Sequence, residues 1–168
     1  MARTGIPPFQ SFLEEHGPPV YRFLVASAGP GDADDCFQET FLAALRAYPK
    51  LHDATNLRGW ILTIASRKVI DSARSKRRRA TPVADVTDFD GPSTDGQGDI
   101  TELHDPLWEA VRELPDRQRI ALVQRILLDR PYSELAAALN CSEETARAHV
   151  YQALKKLRRP DLAERVNL

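Results

Sequence analysis

Residues Tyr132 to Arg159 read YSELAAALNCSEETARAHVYQALKKLRR. Leu135, Ala136 and Leu139 lie on one side of a short helix. Asn140-Cys141-Ser142 interrupts it: Asn tolerates the left-handed backbone that ends a helix, and Ser is a favoured N-cap. Beyond the break, Ala146, Val150, Ala153, Leu154 and Leu157 form a second apolar stripe at helical spacing. Two helices with so tight a break match a helix-turn-helix, whose second helix enters the major groove of DNA. Glu144, Thr145, Ala148, Gln152 and Lys155 fall opposite the apolar stripe, with Arg147 and Tyr151 on one flank and His149 and Lys156 on the other. Small and polar groups occupy the middle, where base edges would lie, and bases gather toward the end, within reach of phosphates. An ordinary amphipathic helix with a solvated face is the competing reading, since terminal bases also answer the helix dipole.

The chain has 168 residues, room for one domain or two small ones, and its 42% apolar content supports a core. A formal net charge of -1 does not point to nucleic acid, but the charges are segregated, and local charge is what a phosphate meets. Cys36 and Cys141 form no CxxC and have no paired His spacing, which argues against zinc or disulfides and fits a reducing cytosol. Both are expected to be small apolar core residues, with a redox role left open. No metal or cofactor is implied. No run reaches membrane-spanning length, and the N-terminus lacks the apolar stretch of a signal peptide, so a cytoplasmic protein is expected.

Toward the N-terminus, Phe9, Phe12, Leu13, Val20, Tyr21, Phe23 and Leu24 suggest one helix before Gly17 and another after Pro18-Pro19, because Pro suits a first turn and not an interior. Asp32 reads as the N-cap of a helix through Ala47 with Phe37, Phe41, Ala44, Leu45 and Tyr48 buried. Asp34, Asp35, Gln38 and Glu39 form an acidic surface near its start, either complementing the dipole or docking a basic partner. After Pro49, Thr55 or Asn56 caps a helix that buries Leu57, Trp60, Ile61 and Ile64. That helix turns basic: Arg67, Lys68, Arg74, Lys76, Arg77, Arg78 and Arg79 against Asp71 give a net +6 within thirteen residues. A solvated charge run is the ordinary reading, yet such density repels itself unless an anion neutralises it.

From 81 to 105 there are seven acids and no Lys or Arg. The Gly, Pro, Ser and Thr content reads as a flexible linker and a domain boundary. Pro106 then opens a helix through Leu114 (Leu107, Trp108, Val111), and Pro115 begins another carrying Ile120, Ala121, Val123, Ile126 and Leu127. No β-alternation appears. The expected fold is all-α, two small helical domains joined by a flexible acidic linker, the C-terminal one a helix-turn-helix.

Taken together, DADDCFQETFLAALRAYPK (residues 32–50), NLRGWILTIASRKVIDSARSKRRR (56–79) and LWEAVRELPDRQRIALVQRILLDRPYSELAAALNCSEETARAHVYQALKKLRR (107–159) resemble a bacterial RNA polymerase sigma factor of the extracytoplasmic-function group. The first resembles the region-two helix that docks on the polymerase clamp. The second resembles the following helix, with its Trp, Ile-Ala, Ile-Asp and basic tail. The third resembles region four. The resemblance implies region two over 6–80, an acidic linker over 81–105 and region four over 106–160. It implies a subunit, not an enzyme, that directs core RNA polymerase to promoter DNA and helps melt it.

By the same resemblance, Asp35, Gln38 and Glu39 would meet the clamp. His52, Asn56, Arg58, Arg67, Arg74, Lys76, Arg77 and Arg78 would serve the minus-ten element. Thr145, Arg147, His149, Gln152, Lys155 and Lys156 would face the minus-thirty-five element. Trp60 is read as core instead, from its place on the apolar stripe. An anti-sigma partner is also implied. Arg67 stands where the family usually has Asn, His149 and Gln152 where it often has arginines, Pro131 where a polar cap is usual, and Asn140 where Gly is common. These departures bear on promoter preference, since Gln favours adenine where Arg favours guanine. A self-sufficient helix-turn-helix regulator is the alternative, disfavoured because it has no use for an acidic docking helix beside a Trp-bearing basic one. A nuclease is disfavoured by the lack of a carboxylate constellation.

Overall fold

The computed structural model describes residues 5–80 and 106–158. Its regular elements there are helical: α1 (Phe9–Ala28), α2 (Pro30–Ala47), a 3-10 turn (Tyr48–Lys50), α3 (Leu57–Arg79), α4 (Pro106–Arg112), α5 (Asp116–Leu127), α6 (Tyr132–Leu139) and α7 (Glu143–Leu157). The all-α expectation agrees with this. The acidic segment 81–105, expected to be a flexible linker, lies outside the described residues.

The expected pair of helices around Gly17 is one continuous helix, α1, with Pro18 and Pro19 inside it. Those prolines remove hydrogen bonds to the carbonyls of Glu14 and Glu15. Both glutamates are exposed, so water can satisfy the released carbonyls. Meanwhile Phe12, Val20, Phe23 and Leu24 bury one stripe across the site, and this packing outweighs the loss. The N-cap expected at Asp32 is also displaced. α2 starts at Pro30, after Gly29 in a positive-φ conformation (φ 90°), and Asp32 sits in its first turn. Asn56 does cap α3, accepting from the Gly59 amide at 2.8 Å.

α1, α2 and α3 close around aromatic rings. Phe12 is fully buried, with ring centroids 5.7 Å from Phe9, 5.2 Å from Tyr48 and 5.8 Å from Trp60. Tyr48 also donates its hydroxyl to the Pro7 carbonyl at 2.6 Å. Trp60 is thus packing material, half-buried among rings, as its place on the apolar stripe suggested. Leu45, expected inside, is exposed, and so are Leu107, Ile126 and Leu127 among the apolar residues of α4 and α5. Periodicity finds the apolar side of a helix, but the width of the buried strip depends on which helix covers it.

α5 organises the second half. It packs on α6 and α7 on one side and on α1 and α3 on the other. Six consecutive residues, Arg119 to Gln124, are buried in consequence. A helix covered on both sides places polar residues in the interior, where each needs a partner. Arg119 finds them in the carbonyls of Ser27 (2.6 Å), Arg112 and Leu114 (both 2.9 Å).

Phe12→Ala should lower unfolding free energy by about 3–5 kcal/mol in denaturant titration, the range for emptying a buried aromatic site. A loss near the surface-substitution range of about 0.5 kcal/mol would contradict this core. His16 offers a pH test. Its ring is buried against Phe12, centroids 4.9 Å apart. Burial holds the imidazole below its ordinary pKa, Glu15 opposing and Arg58 reinforcing the shift. The unfolded chain therefore takes up this proton first, and the stability tied to neutral His16 is lost as pH falls from the ordinary imidazole range through the folded value. Thermal unfolding between about pH 7 and about pH 5 should show a shallower pH slope for His16→Gln; an unaltered slope would assign the effect elsewhere.

Candidate nucleic-acid interface

α6 ends at Asn140, whose backbone is left-handed (φ 52°), and the Cys141 amide returns to the Ala136 carbonyl at 3.0 Å. Ser142 then caps α7, accepting from the Thr145 amide at 3.1 Å. The Asn-Cys-Ser break thus works as its residue types indicated. Ala146, Val150 and Ala153 of α7 are buried, and Leu154 and Leu157 are half-buried. Glu144, Thr145, Arg147, Ala148, Tyr151, Gln152 and Lys155 are all exposed, while His149 and Lys156 are half-buried at the edge. Burial, with the charge of Arg117 added, holds the His149 imidazole below its ordinary pKa, so it faces the solvent edge uncharged near neutrality. Thr145 also meets the cap, its hydroxyl 2.9 Å from that of Ser142.

In the N-terminal half, α3 carries its cationic run outward. Arg67, Arg74, Lys76, Arg77 and Arg78 are exposed, as are His52, Asn56 and Arg58 near its start. The geometry divides this set. Lys76 pairs with Asp32 and Arg77 with Asp116. Asn56 donates to Glu134 at 2.7 Å and Arg58 to the Leu128 carbonyl at 3.4 Å, both in the C-terminal half.

Asp35, Gln38 and Glu39 lie on the solvent side of α2. Leu42 (52% exposed) and Leu45 (48%) continue that stripe. Polar and apolar groups side by side suit a protein partner better than a solvated helix end. Glu39 lies 3.8 Å from Lys68. Cys36, one turn behind, is buried, and burial pushes its thiol pKa up. Among the described residues no group of three or more His, Cys, Asp and Glu side chains is placed to hold a metal, and no helix is long and apolar enough to cross a membrane.

Tyr132 escaped the sequence reading. Its ring lies under two guanidiniums, Arg147 at 5.0 Å and Arg125 at 5.1 Å from the centroid. Glu143 stands 3.7 Å from Arg147. Ring and carboxylate together restrict a long side chain on the rim of the exposed face of α7. The available signal was an aromatic residue at the first position of α6, which alone says nothing about a residue fifteen positions on.

A capped, outward-facing second helix and a separate cationic helix on one frame define a helical DNA-binding protein with two points of attachment. The family comparisons give the class its name. The Sigma-70 region 2 model matches residues 12–79 and the Sigma-70, region 4 model matches residues 104–157. The probable RNA polymerase sigma-C factor of Mycobacterium bovis is 31% identical over 148 residues, covering 86% of this chain and 78% of its own. The ECF RNA polymerase sigma factor EcfG of Rhodopseudomonas palustris is 33% identical over 147 residues, covering 83% and 77%. The ECF RNA polymerase sigma factor SigF of Caulobacter vibrioides is 32% identical, covering 78% and 72%. Among solved structures, the sigma factor RpoE of Bartonella quintana, in complex with the anti-sigma factor NepR, shares the fold with TM-score 0.70 at 22% identity, covering 95% of this chain and 97% of that one. The chain belongs to the extracytoplasmic-function group of sigma-70 factors. It is a transcription initiation factor that acts with core RNA polymerase on promoter DNA.

Tyr132→Leu should weaken binding to DNA carrying the upstream promoter element by about 2- to 5-fold, the worth of one exposed cation–π contact, in a titration of the polymerase-bound factor. Tyr132→Phe should retain it. Equal behaviour of the two variants would remove the ring from any part in holding Arg147.

Proposed function

We propose that the two DNA-binding points of this sigma factor use the residues assigned by resemblance. Thr145, Arg147, Gln152 and Lys155 face the minus-thirty-five element, with His149 and Lys156 at the edge. His52, Asn56, Arg58, Arg67, Arg74, Lys76, Arg77 and Arg78 serve the minus-ten element. Asp35, Gln38 and Glu39, extended by Leu42 and Leu45, meet the polymerase. Region two then spans about 6–80, region four about 106–160, and 81–105 joins them. The observation that carries this reading is α7, where a wholly exposed polar face backs onto buried Ala146, Val150 and Ala153 behind a Ser cap.

Neither half need bind DNA tightly. Mounted together on polymerase, two weak contacts multiply through effective concentration, and only promoters whose elements match that spacing engage both. Nucleotide chemistry belongs to the polymerase, so the factor is no enzyme, and its work lies in the cytoplasm. Base capture at the minus-ten element means unstacking, which costs a few kcal/mol, and contacts from the α3 end would supply it. An anti-sigma protein is a further expected partner. Support comes from two structures of the same fold, RpoE with the anti-sigma factor NepR and CnrH with the cytosolic domain of CnrY (TM-score 0.60, 20% identity, covering 89% of this chain and 84% of that one).

Arg147→Ala and Gln152→Ala should each reduce transcription from promoters that depend on the upstream element. The expected loss is about 5- to 150-fold, matching about 1–3 kcal/mol per base contact, with affinity for core polymerase unchanged. Glu39→Arg should do the reverse, weakening the complex with core polymerase in size-exclusion or fluorescence titration. Loss of polymerase binding in the α7 variants, or full retention in Glu39→Arg, would overturn the division of labour.

A further inference from the structure

Not all the cations of α3 lie on its solvated ridge. A cleft of about 410 Å³ is bounded by α1, α3, α4 and α5. Lys76 and Arg77 of α3, Arg112 of α4 and Arg119 of α5 line it, with two carboxylates, Asp32 and Asp116. Arg67, Arg74 and Arg78 of α3 do not. Lys76 meets Asp32, but Asp116 serves two guanidiniums at once, Arg77 and, at 2.9 Å, Arg119. Four cations less two carboxylates leave two positive charges in one cleft. Val69, Leu114 and Pro115 give it an apolar wall.

Arg119 adds an unmet donor. It is buried, and a guanidinium carries five N–H groups. Nε donates to the Ser27 carbonyl, Nη1 to the Arg112 and Leu114 carbonyls, and Nη2 to Asp116. The remaining Nη2 hydrogen has no acceptor among the described residues. A donor withdrawn from water favours any acceptor that can enter beside it. Pro115 and Asp116 also open α5, whose start has no side-chain cap, and a helix start favours an anion. The volume falls in the range of small-molecule sites, which join apolar walls to a few polar groups. Guanidiniums match phosphate in shape as well as charge.

We propose that this cleft binds a small phosphorylated molecule of nucleotide size. Its phosphate groups, carrying two or more negative charges, meet Arg112, Arg119 and Lys76. Its organic part lies against Val69, Leu114 and Pro115. Arg112 and Arg119 belong to neither DNA-facing set, so the site stands apart from the promoter assignments.

The test is calorimetric titration of the full chain with ADP, pyrophosphate or adenosine, without magnesium. ADP should bind saturably with a Kd below about 1 mM, pyrophosphate more weakly and adenosine not at all. Arg112→Gln should weaken ADP binding at least about tenfold, the worth of one charge-assisted hydrogen bond. Ala73→Phe, at a position lining the cleft, fills it without altering charge and should abolish saturable binding. Arg67→Gln combined with Arg74→Gln removes twice the charge from the solvated side of α3. It should change ADP affinity by less than about twofold, because charges in open water are screened. Circular dichroism and the unfolding midpoint of each variant, read without ligand, separate loss of the site from loss of the fold. Absence of saturable ADP binding would overturn the proposal. So would an equal loss in the Arg67/Arg74 variant and in Arg112→Gln, which would assign the binding to the solvated charge run. Pyrophosphate binding as tight as that of ADP would overturn the place given to the organic part.

Discussion

Gln124 sits with both ends of its amide engaged, one on a serine of the N-terminal half, the other on Arg130 of its own half. An amide removed from water must keep its partners or cost the fold more than it contributed. Around this constraint the arrangement of the molecule follows. Arg130 must reach inward, so the turn between α5 and α6 bends through Asp129 in a left-handed conformation (φ 47°). Glu134 must compensate Arg130. Burial pushes its carboxyl up, but hydrogen bonds from Arg130 and Asn56, with the charges of Arg130 and Arg58, hold it below its ordinary range, and the pair remains ionised.

Legibility in the sequence followed the range of the forces involved. Caps act over three or four residues, so Asn56, Asn140 and Ser142 could be read from type and position, and each does what its chemistry suggests. The helix-turn-helix was legible for the same reason, and so was the exposed cationic end of α3. The family resemblance supplied the remaining roles; most of those side chains are exposed, with His149 and Lys156 half-buried. What failed depended on distant chain. Pro18 and Pro19 were read as a break because nothing local announces that Val20, Phe23 and Leu24 will be clasped by α2 and α3 strongly enough to keep the helix running. Leu45 was read as buried because its stripe was apolar, while the neighbouring helices cover less of it. Ser66 and Gln124 are fifty-eight residues apart, and no periodicity links a serine on one helix to a glutamine on another.

The two DNA-facing regions differ in how they are held. α7 is built for constancy: a capped start, a buried small-residue stripe and a ring that limits Arg147. The α3 end is built for exchange. Its cations are long, exposed side chains whose ion pairs with Asp32 and Asp116 are of the kind that contribute little net stability at a surface. Base reading needs fixed geometry, and phosphate holding needs only charge within reach. Each helix has the mechanical character its proposed task calls for.

The tandem prolines of α1 have a wider bearing. A helix missing two rungs near its middle has little tendency to persist by itself. α1 is therefore helical on loan from the helices packed on it, α2, α3 and α5, around buried Phe12, Val20, Phe23 and Leu24. Any event that peels it away dissolves it, and with it the wall behind Tyr48 and Trp60. Loss of α1 would therefore unseat α2 and α3 together, and with them both the acidic surface and the cationic helix.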